Sequence, residues 1–297
     1  MSTPGLGLIT GPQFLAVMQN FAQVLERRAP EINDLNVFPV PDSDTGSNSV
    51  LTIAAGLANT VDVEQAAEAG LGEVVATVAS ASGHGALGNS GIILSEYLRG
   101  MSTVLDDQAD VVQWARALKA GAETAREAVL TPQDGTMLTV AQAAAEVAVD
   151  SNFGDYLKQI QIQVRKKLVE TEGMLPALTS AGVVDAGAVV ITLLHDAFAT
   201  QLANSSEPEL VITQSKCKEL PNNYSGPKYE LMFAFQSSEN QKHELEQELA
   251  KFGDSITVAG DESGFNFHIH TDNPDQVIEF GRTLVAIDNT RVHRLIG

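Results

Sequence analysis

"VVQWARALKAGAETAREAV", residues 111–129, decides the fold class of the longer part of the chain. Trp114, Leu118, Ala122 and Ala125 recur at three- and four-residue spacing, which puts them on one face of an α-helix. The same rhythm runs on both sides. It predicts helices over 12–28, 47–59, 64–80, 89–103, 110–128, 137–149, 153–169 and 183–203. Turn signals such as "TPQDG" and "TEGMLP" separate them, and no strand pattern of comparable strength interrupts this part. The expectation is an all-α domain of about eight helices.

The pattern changes at "NSSEPELVITQSKCKELPNNYSGPK", 204–228, which is rich in Ser, Asn and Pro and has the composition of a linker. Beyond it the strand-like runs "KYELMFAFQ", "DSITVAG", "FNFHIHT" and "TRVHRLI" alternate with helical "ENQKHELEQELAKFG" and "NPDQVIEFGRTLV". Asn273 with Pro274 marks the start of the second of these helices. The order βαββαβ predicts a small α+β sandwich. The division is therefore 1–203 helical, 204–227 linker and 228–297 α+β.

Composition narrows the functional classes. The chain has 297 residues, 44% hydrophobic and 19% charged, which is a globular balance with room for two cores. A net charge of −20 opposes nucleic acid and anionic membranes as partners. A single cysteine, Cys217, excludes an internal disulfide framework and points to a reducing, cytoplasmic setting. The N-terminus lacks the pattern of a signal peptide, and no apolar stretch is charge-free over a membrane's thickness.

The chemistry concentrates in "NVFPVPDSDTGSNSV", 36–50. Asp42 and Asp44 stand two apart in a tight turn, where their repulsion calls for a cation. Carboxylate oxygens favour Mg²⁺ or Ca²⁺ over zinc. An EF-hand is excluded, because Gly46 comes one position early and Ile53 stands where the loop needs Glu. An acidic helix start accounts for one aspartate but not for both. Thr45, Gly46, Ser47 and Asn48 then open a helix whose backbone N–H groups are expected to be free for a phosphate. No Walker A sequence occurs. In "ASGHGALGNSGII", 81–93, Gly83, Gly85 and Gly88 match a dinucleotide fingerprint, but no preceding strand supports it. The useful feature there is "GNSG", a second helix start with small polar side chains.

Taken together, "NVFPVPDSDTGSN", "GALGNSGIILSEYLRG", "DGTMLTV" and "LPALTSAGVVDAG" resemble the nucleotide-binding domain of the dihydroxyacetone kinase family, in order and approximate spacing. The resemblance is strongest to the catalytic subunits of bacterial fatty acid kinases, whose middle domain is similar to "GFNFHIHTDNPDQVIEFG". It implies an eight-helix antiparallel barrel with Mg-ATP at one end, followed by the small α+β domain. It implies that Asp42 and Asp44 hold Mg²⁺, with Asn36 as a further ligand. Thr45, Gly46, Ser47, Asn48, Asn89 and Ser90 would contact phosphates, and Thr136, Met137, Asp185 and Gly187 the nucleoside side. The implied activity is phosphorylation of a fatty acid carboxylate presented by a separate fatty-acid-binding carrier protein, releasing ADP, and a homodimer is implied too. A regulatory or scaffold nucleotide-binding protein and a dihydroxyacetone-type (glycerone) kinase are the alternatives. Ser43 replaces the glycine usual between the aspartates, Leu87 stands where many relatives carry Arg, and Ala188 interrupts the usual "DAGG". Full-length relatives continue into a further domain past the position of Gly297.

His268 and His270 alternate on one strand and so share a side. Spacing alone is satisfied by an ordinary strand face. The resemblance adds a Zn²⁺ site, because relatives carry a cysteine in the domain's first strand and Glu230 occupies that position here. A ferredoxin-like order with parallel first and third strands is expected to hold Glu230 away from the histidines.

Overall fold

The computed structural model describes residues 7–58, 68–206, 208–212, 226–261 and 263–295. Among them the first part of the chain is helical: α1 Gly11–Asp34, α2 Thr45–Ala58, α3 Leu71–His84, α4 Gly88–Ser102, α5 Val111–Glu127, α6 Met137–Ala145, α7 Phe153–Glu170, the short α8 Pro176–Ala181 and α9 Ala186–Ala203. Two-residue strands β1, Ile9–Thr10, and β2, Gln108–Ala109, pair antiparallel across the start of this part and have no sequence signature of their own. Part of the predicted 64–80 helix lies outside the described residues. The predicted 12–28 helix runs on through Pro30 to Asp34, because Ile32 continues its buried face.

Each long helix packs on the next, and α9 returns against α1. Phe14, Trp114, Phe153 and Phe198 meet near the middle of this core. Helix α9 is the one described helix long and apolar enough to cross a membrane, a feature not foreseen from the sequence. It is mostly buried, which accounts for apolar residues all round it in a core helix.

The chain beyond α9 is less free than its composition predicts. Arg28 donates to Glu209 Oε1 (3.2 Å) and to the Leu210 carbonyl (2.9 Å), and Arg165 donates to the Pro208 carbonyl (2.8 Å). Leu210 and Ile212 pack against the helical core. The rest of the expected linker up to 225, with Cys217, lies outside the described residues.

The second part is β3 Tyr229–Phe235, α10 Glu239–Leu249, β4 Gly253–Asp261, β5 Gly264–Thr271, α11 Pro274–Gly281 and β6 Ile287–Arg294, in the predicted order. The strands lie in the order β4-β5-β3-β6, every neighbour antiparallel. This corrects the expected strand directions. The crossover through α10 brings β4 back parallel to β3, and the β4–β5 hairpin reverses the chain, so β5 runs antiparallel to β3. Glu230 therefore pairs directly with His270. Leu231, Phe233, Phe267 and Ile269 on one face of the sheet pack under α10 and α11. The other face meets α3 and α4, where Ala86, Ile92, Met232 and Ala259 form an apolar seam.

Candidate functional site

The loop before α2 is fixed by two asparagines. Asn36 Oδ1 accepts from the Thr45 N–H (2.9 Å) and from the Thr45 hydroxyl, while its amide donates to the Val40 carbonyl (2.7 Å). Asn33 Oδ1 accepts from the Gly46 and Ser47 N–H groups at 2.8 and 3.1 Å. The first turn of α2 is thus already capped, against the expectation of free N–H groups. Asn36, expected as a metal ligand, is buried and holds the helix start instead. Asn33 carries no motif and was missed by sequence reasoning.

Between the caps, Ser43 sits at φ 56°, the left-handed region in which glycine is at ease. Asp42 and Asp44 flank it, close enough for their carboxyls to interact. Burial, then the Asp44 charge, pushes the Asp42 carboxyl up to about 8. Burial and Glu230 raise Asp44, against the hydrogen bond from Asn48 Nδ2 (2.8 Å). Two half-buried carboxylates so placed share a proton in the absence of a cation, and their hard-oxygen donor set fits a divalent ion such as Mg²⁺.

Helix α4 starts beside this pair. Gly88 has φ 60°, and a Cβ there would stand 2.6 Å from Asn48 Nδ2 and 3.6 Å from Glu230 Oε1. Among the described residues no side chain caps its N-terminus, so its first N–H groups, unlike those of α2, are open to an anion. Leu87, at its N-cap, packs against the apolar seam with Met232 and Ala259.

Behind this helix start lies a cleft with a cavity volume of about 130 Å³. It gathers Thr45, Asn89, Ser90, Thr136, Met137, Asp185 and Gly187 from separate stretches of the first part. Phe38, Ile93 and Leu138 give it apolar walls, and Ser255 and Thr257 of β4 close one side. Those last two were missed by sequence reasoning, since nothing in "DSITVAG" marks them. Gly46 serves a different end: a Cβ there would stand 2.5 Å from the Ala29 carbonyl, so it permits the close approach of α1 and α2. Ser47 exchanges hydrogen bonds with Asn33 rather than facing the cleft. Asp185, buried, accepts from the Ala188 N–H (2.7 Å) and from the Met137 and Gly187 N–H groups, tying the starts of α6 and α9 together. Burial raises its carboxyl to about 7 against those three hydrogen bonds.

Glu230, His268 and His270 form a cluster whose ligating atoms lie within 4.8 Å of one another. His268 bridges Glu230 Oε1 and the Ser255 carbonyl, both at 2.9 Å. Burial pushes the Glu230 carboxyl up, but the hydrogen bond and charge of His268, with His270 and His293, outweigh it and leave it low. Burial and then His268 drive the His270 ring down to about 3, and its buried Nδ1 has no hydrogen-bond partner among the described residues. This N,N,O donor set fits a zinc-type ion. It adjoins Asp44, which feels the charges of both Glu230 and His268, so the two carboxylate clusters are contiguous across the two parts of the chain.

The family model of the DAK2 domain matches residues 39–200, and that of the FakA-like middle domain of fatty acid kinase matches residues 226–296. Uncharacterized proteins of Staphylococcus aureus strains COL and NCTC 8325 are each 30% identical over 97% of this chain and 56% of their own length. The chain thus spans about half the length of the curated relatives it matches. The dihydroxyacetone kinase of C. freundii, a solved structure, is 16% identical with a TM-score of 0.47, over 67% of this chain and 36% of that one.

Proposed function

The chain belongs to the DAK2 and FakA-like family, and on that premise we propose that it is an ATP-dependent phosphotransferase acting on a carboxylate. The observation that carries this is the Asp42–Asp44 pair, joined through Asn48 to the uncapped start of α4, beside a cleft lined by Thr45, Asn89, Ser90, Met137 and Asp185. The N–H groups at the start of α4, with Asn89 and Ser90, take the phosphates. Met137, Gly187 and the apolar wall of Phe38 and Leu138 take the nucleoside. Asp42 and Asp44 hold Mg²⁺, which supplies positive charge against the β- and γ-phosphates. A carboxylate oxygen of the acceptor forms the new bond to the γ-phosphorus as the bond to the β–γ bridging oxygen breaks, giving acyl phosphate and ADP.

The match of the second part to a fatty acid kinase middle domain favours a fatty acid, delivered by a fatty-acid-binding carrier, over dihydroxyacetone. In the same reading the sequentially packed helices are an eight-helix barrel, Glu230, His268 and His270 hold Zn²⁺, the protein is a cytoplasmic dimer, and the two parts are separate domains. A nucleotide-binding regulatory protein with weak turnover is the second reading. The prior capping of α2 by Asn33 and Asn36 favours it, because it removes one of the two expected phosphate cradles.

Incubation with Mg-ATP, oleate and a bacterial fatty-acid-binding protein, followed by hydroxylamine trapping, tests the activity. Acyl hydroxamate is expected from the wild type and at least a hundredfold less from Asp42→Asn or Asp44→Asn. ATP binding without acyl transfer would select the regulatory reading.

A further inference from the structure

The resemblance puts the nucleotide wholly in the helical part, yet β4 of the second part forms a wall of the cleft. Its attachment is specific. The Leu130 N–H donates to the Ile256 carbonyl (3.1 Å) and the Val258 N–H to the Ala128 carbonyl (3.0 Å), with Val129 bridged to Thr257. A register shift in β4 between Asp254 and Thr257, with Ser255 at φ 55°, bends the strand where it reaches the cleft. Thr257 is buried there, and its Oγ1 donates to Asn89 Oδ1 at 2.9 Å.

We infer that Thr257 is a positioning residue for nucleotide phosphate, acting through Asn89; this rests on the nucleotide reading of the cleft. A carboxamide has one acceptor oxygen and one NH₂ group. With Oδ1 engaged by Thr257, Asn89 has its NH₂ left for the cleft, the end suited to an anion beside the open N–H groups of α4. Without the Thr257 hydroxyl the amide is free to turn and present its oxygen, which repels phosphate. The second part of the chain thereby sets the affinity of a site that the helical part otherwise builds.

The test is titration calorimetry of the full chain with Mg-ATP and, separately, with adenosine. Thr257→Val is expected to weaken Mg-ATP about tenfold, the effect of one hydrogen bond to a charged group, while adenosine affinity changes less than about twofold. Thr257→Ser, which keeps the hydroxyl, restores Mg-ATP binding. Asn89→Asp keeps the acceptor for Thr257 but turns a carboxylate oxygen to the cleft, and is expected to lose at least as much Mg-ATP affinity. That variant also keeps the test decisive if Thr257→Val fails to fold. Equal losses for both ligands, an unaffected Thr257→Val, failed rescue by Thr257→Ser or a neutral Asn89→Asp would each overturn the assignment. Wild-type protein that binds neither ligand removes the nucleotide reading, and this inference with it; wild-type binding with unaffected variants removes this inference alone.

Discussion

Asp42 keeps its proton up to about 8 in the folded chain, through burial first and Asp44 second. An unfolded aspartate loses it near about 3.9. Between those values the folded state binds more protons, so this contribution to stability is fully present below the unfolded value and is lost as pH rises to 8. Asp185, raised to about 7, acts in the same sense. Buried His195, lowered to about 4, and His270, lowered to about 3, act in the opposite sense: their contribution is present above about 6.5 and is lost as pH falls. Above about pH 6.5 the histidine contributions are constant and the carboxyls decide the slope. We predict that the metal-free Tm falls from pH 6.5 to 8. Asn at position 42 mimics the protonated carboxyl, so Asp42→Asn flattens the fall, leaving the share of Asp185. Mg²⁺ must displace the shared proton, so its gain in Tm is larger at pH 8 than at pH 6.5 and absent in Asp42→Asn. Differential scanning calorimetry at matched ionic strength reads all of these. A metal-free Tm that rises to pH 8, or an equal slope in Asp42→Asn, would refute the assignment.

At the scale of elements, the start of α2 shows how one side chain replaces several expected contacts. Asn33, near the end of α1, serves two N–H groups of α2 and the Ser47 hydroxyl. Asn33→Ala is expected to lower the unfolding free energy by about 1–2 kcal/mol, the cost of a lost helix cap, seen as a lower urea midpoint at unchanged slope; Asn33→Asp, which keeps the acceptor, recovers most of it. A loss below a few tenths would mean that water replaces the cap at no cost. The sequence made α5 readable because its buried face repeats every turn, and it made the βαββαβ order readable because period-2 and period-3.6 runs alternate cleanly. It also brought Thr45, Asn89, Ser90 and Asp185 into view through their motifs. It hid Asn33 and the capping role of Asn36, which arise only when the loop folds back on α1. It hid the pairing of β4 with Val129, since a strand edge carries no signature of the backbone it will meet. The position of Glu230 follows from the order βαββαβ itself: the crossover through α10 returns β4 parallel to β3 and the hairpin turns β5 antiparallel, so a parallel β3–β5 pair does not follow from that order.

Across the whole molecule, the two parts are joined by polar contacts that surround the apolar seam of Met232 and Ala259. Glu96, buried on α4 and held by Arg99 (2.6 Å), accepts the Gly260 N–H at 2.8 Å. Asn266 Nδ2 donates to the Gly83 and His84 carbonyls at 2.6 and 3.1 Å, satisfying the end of α3. These contacts hold β4 where Thr257 meets Asn89, so loosening them should reach the cleft without touching it. Asn266 lies on β5, outside the cleft lining. We predict that Asn266→Ala, which removes both of these hydrogen bonds, takes about 1–3 kcal/mol from the interface, and so raises local opening about tenfold or more. The N–H groups that report this are Leu130 and Val258, because their acceptors lie across the interface, on Ile256 and Ala128. Hydrogen exchange is expected to quicken at these two positions and at Gly260, while core amides of α5 and α9 exchange at wild-type rates. Uniform acceleration through α5 and α9 would mean that the two parts unfold as one unit. Unchanged exchange at Leu130 and Val258 would mean that the apolar seam alone holds β4 in place, and the polar contacts would then have no part in setting the cleft.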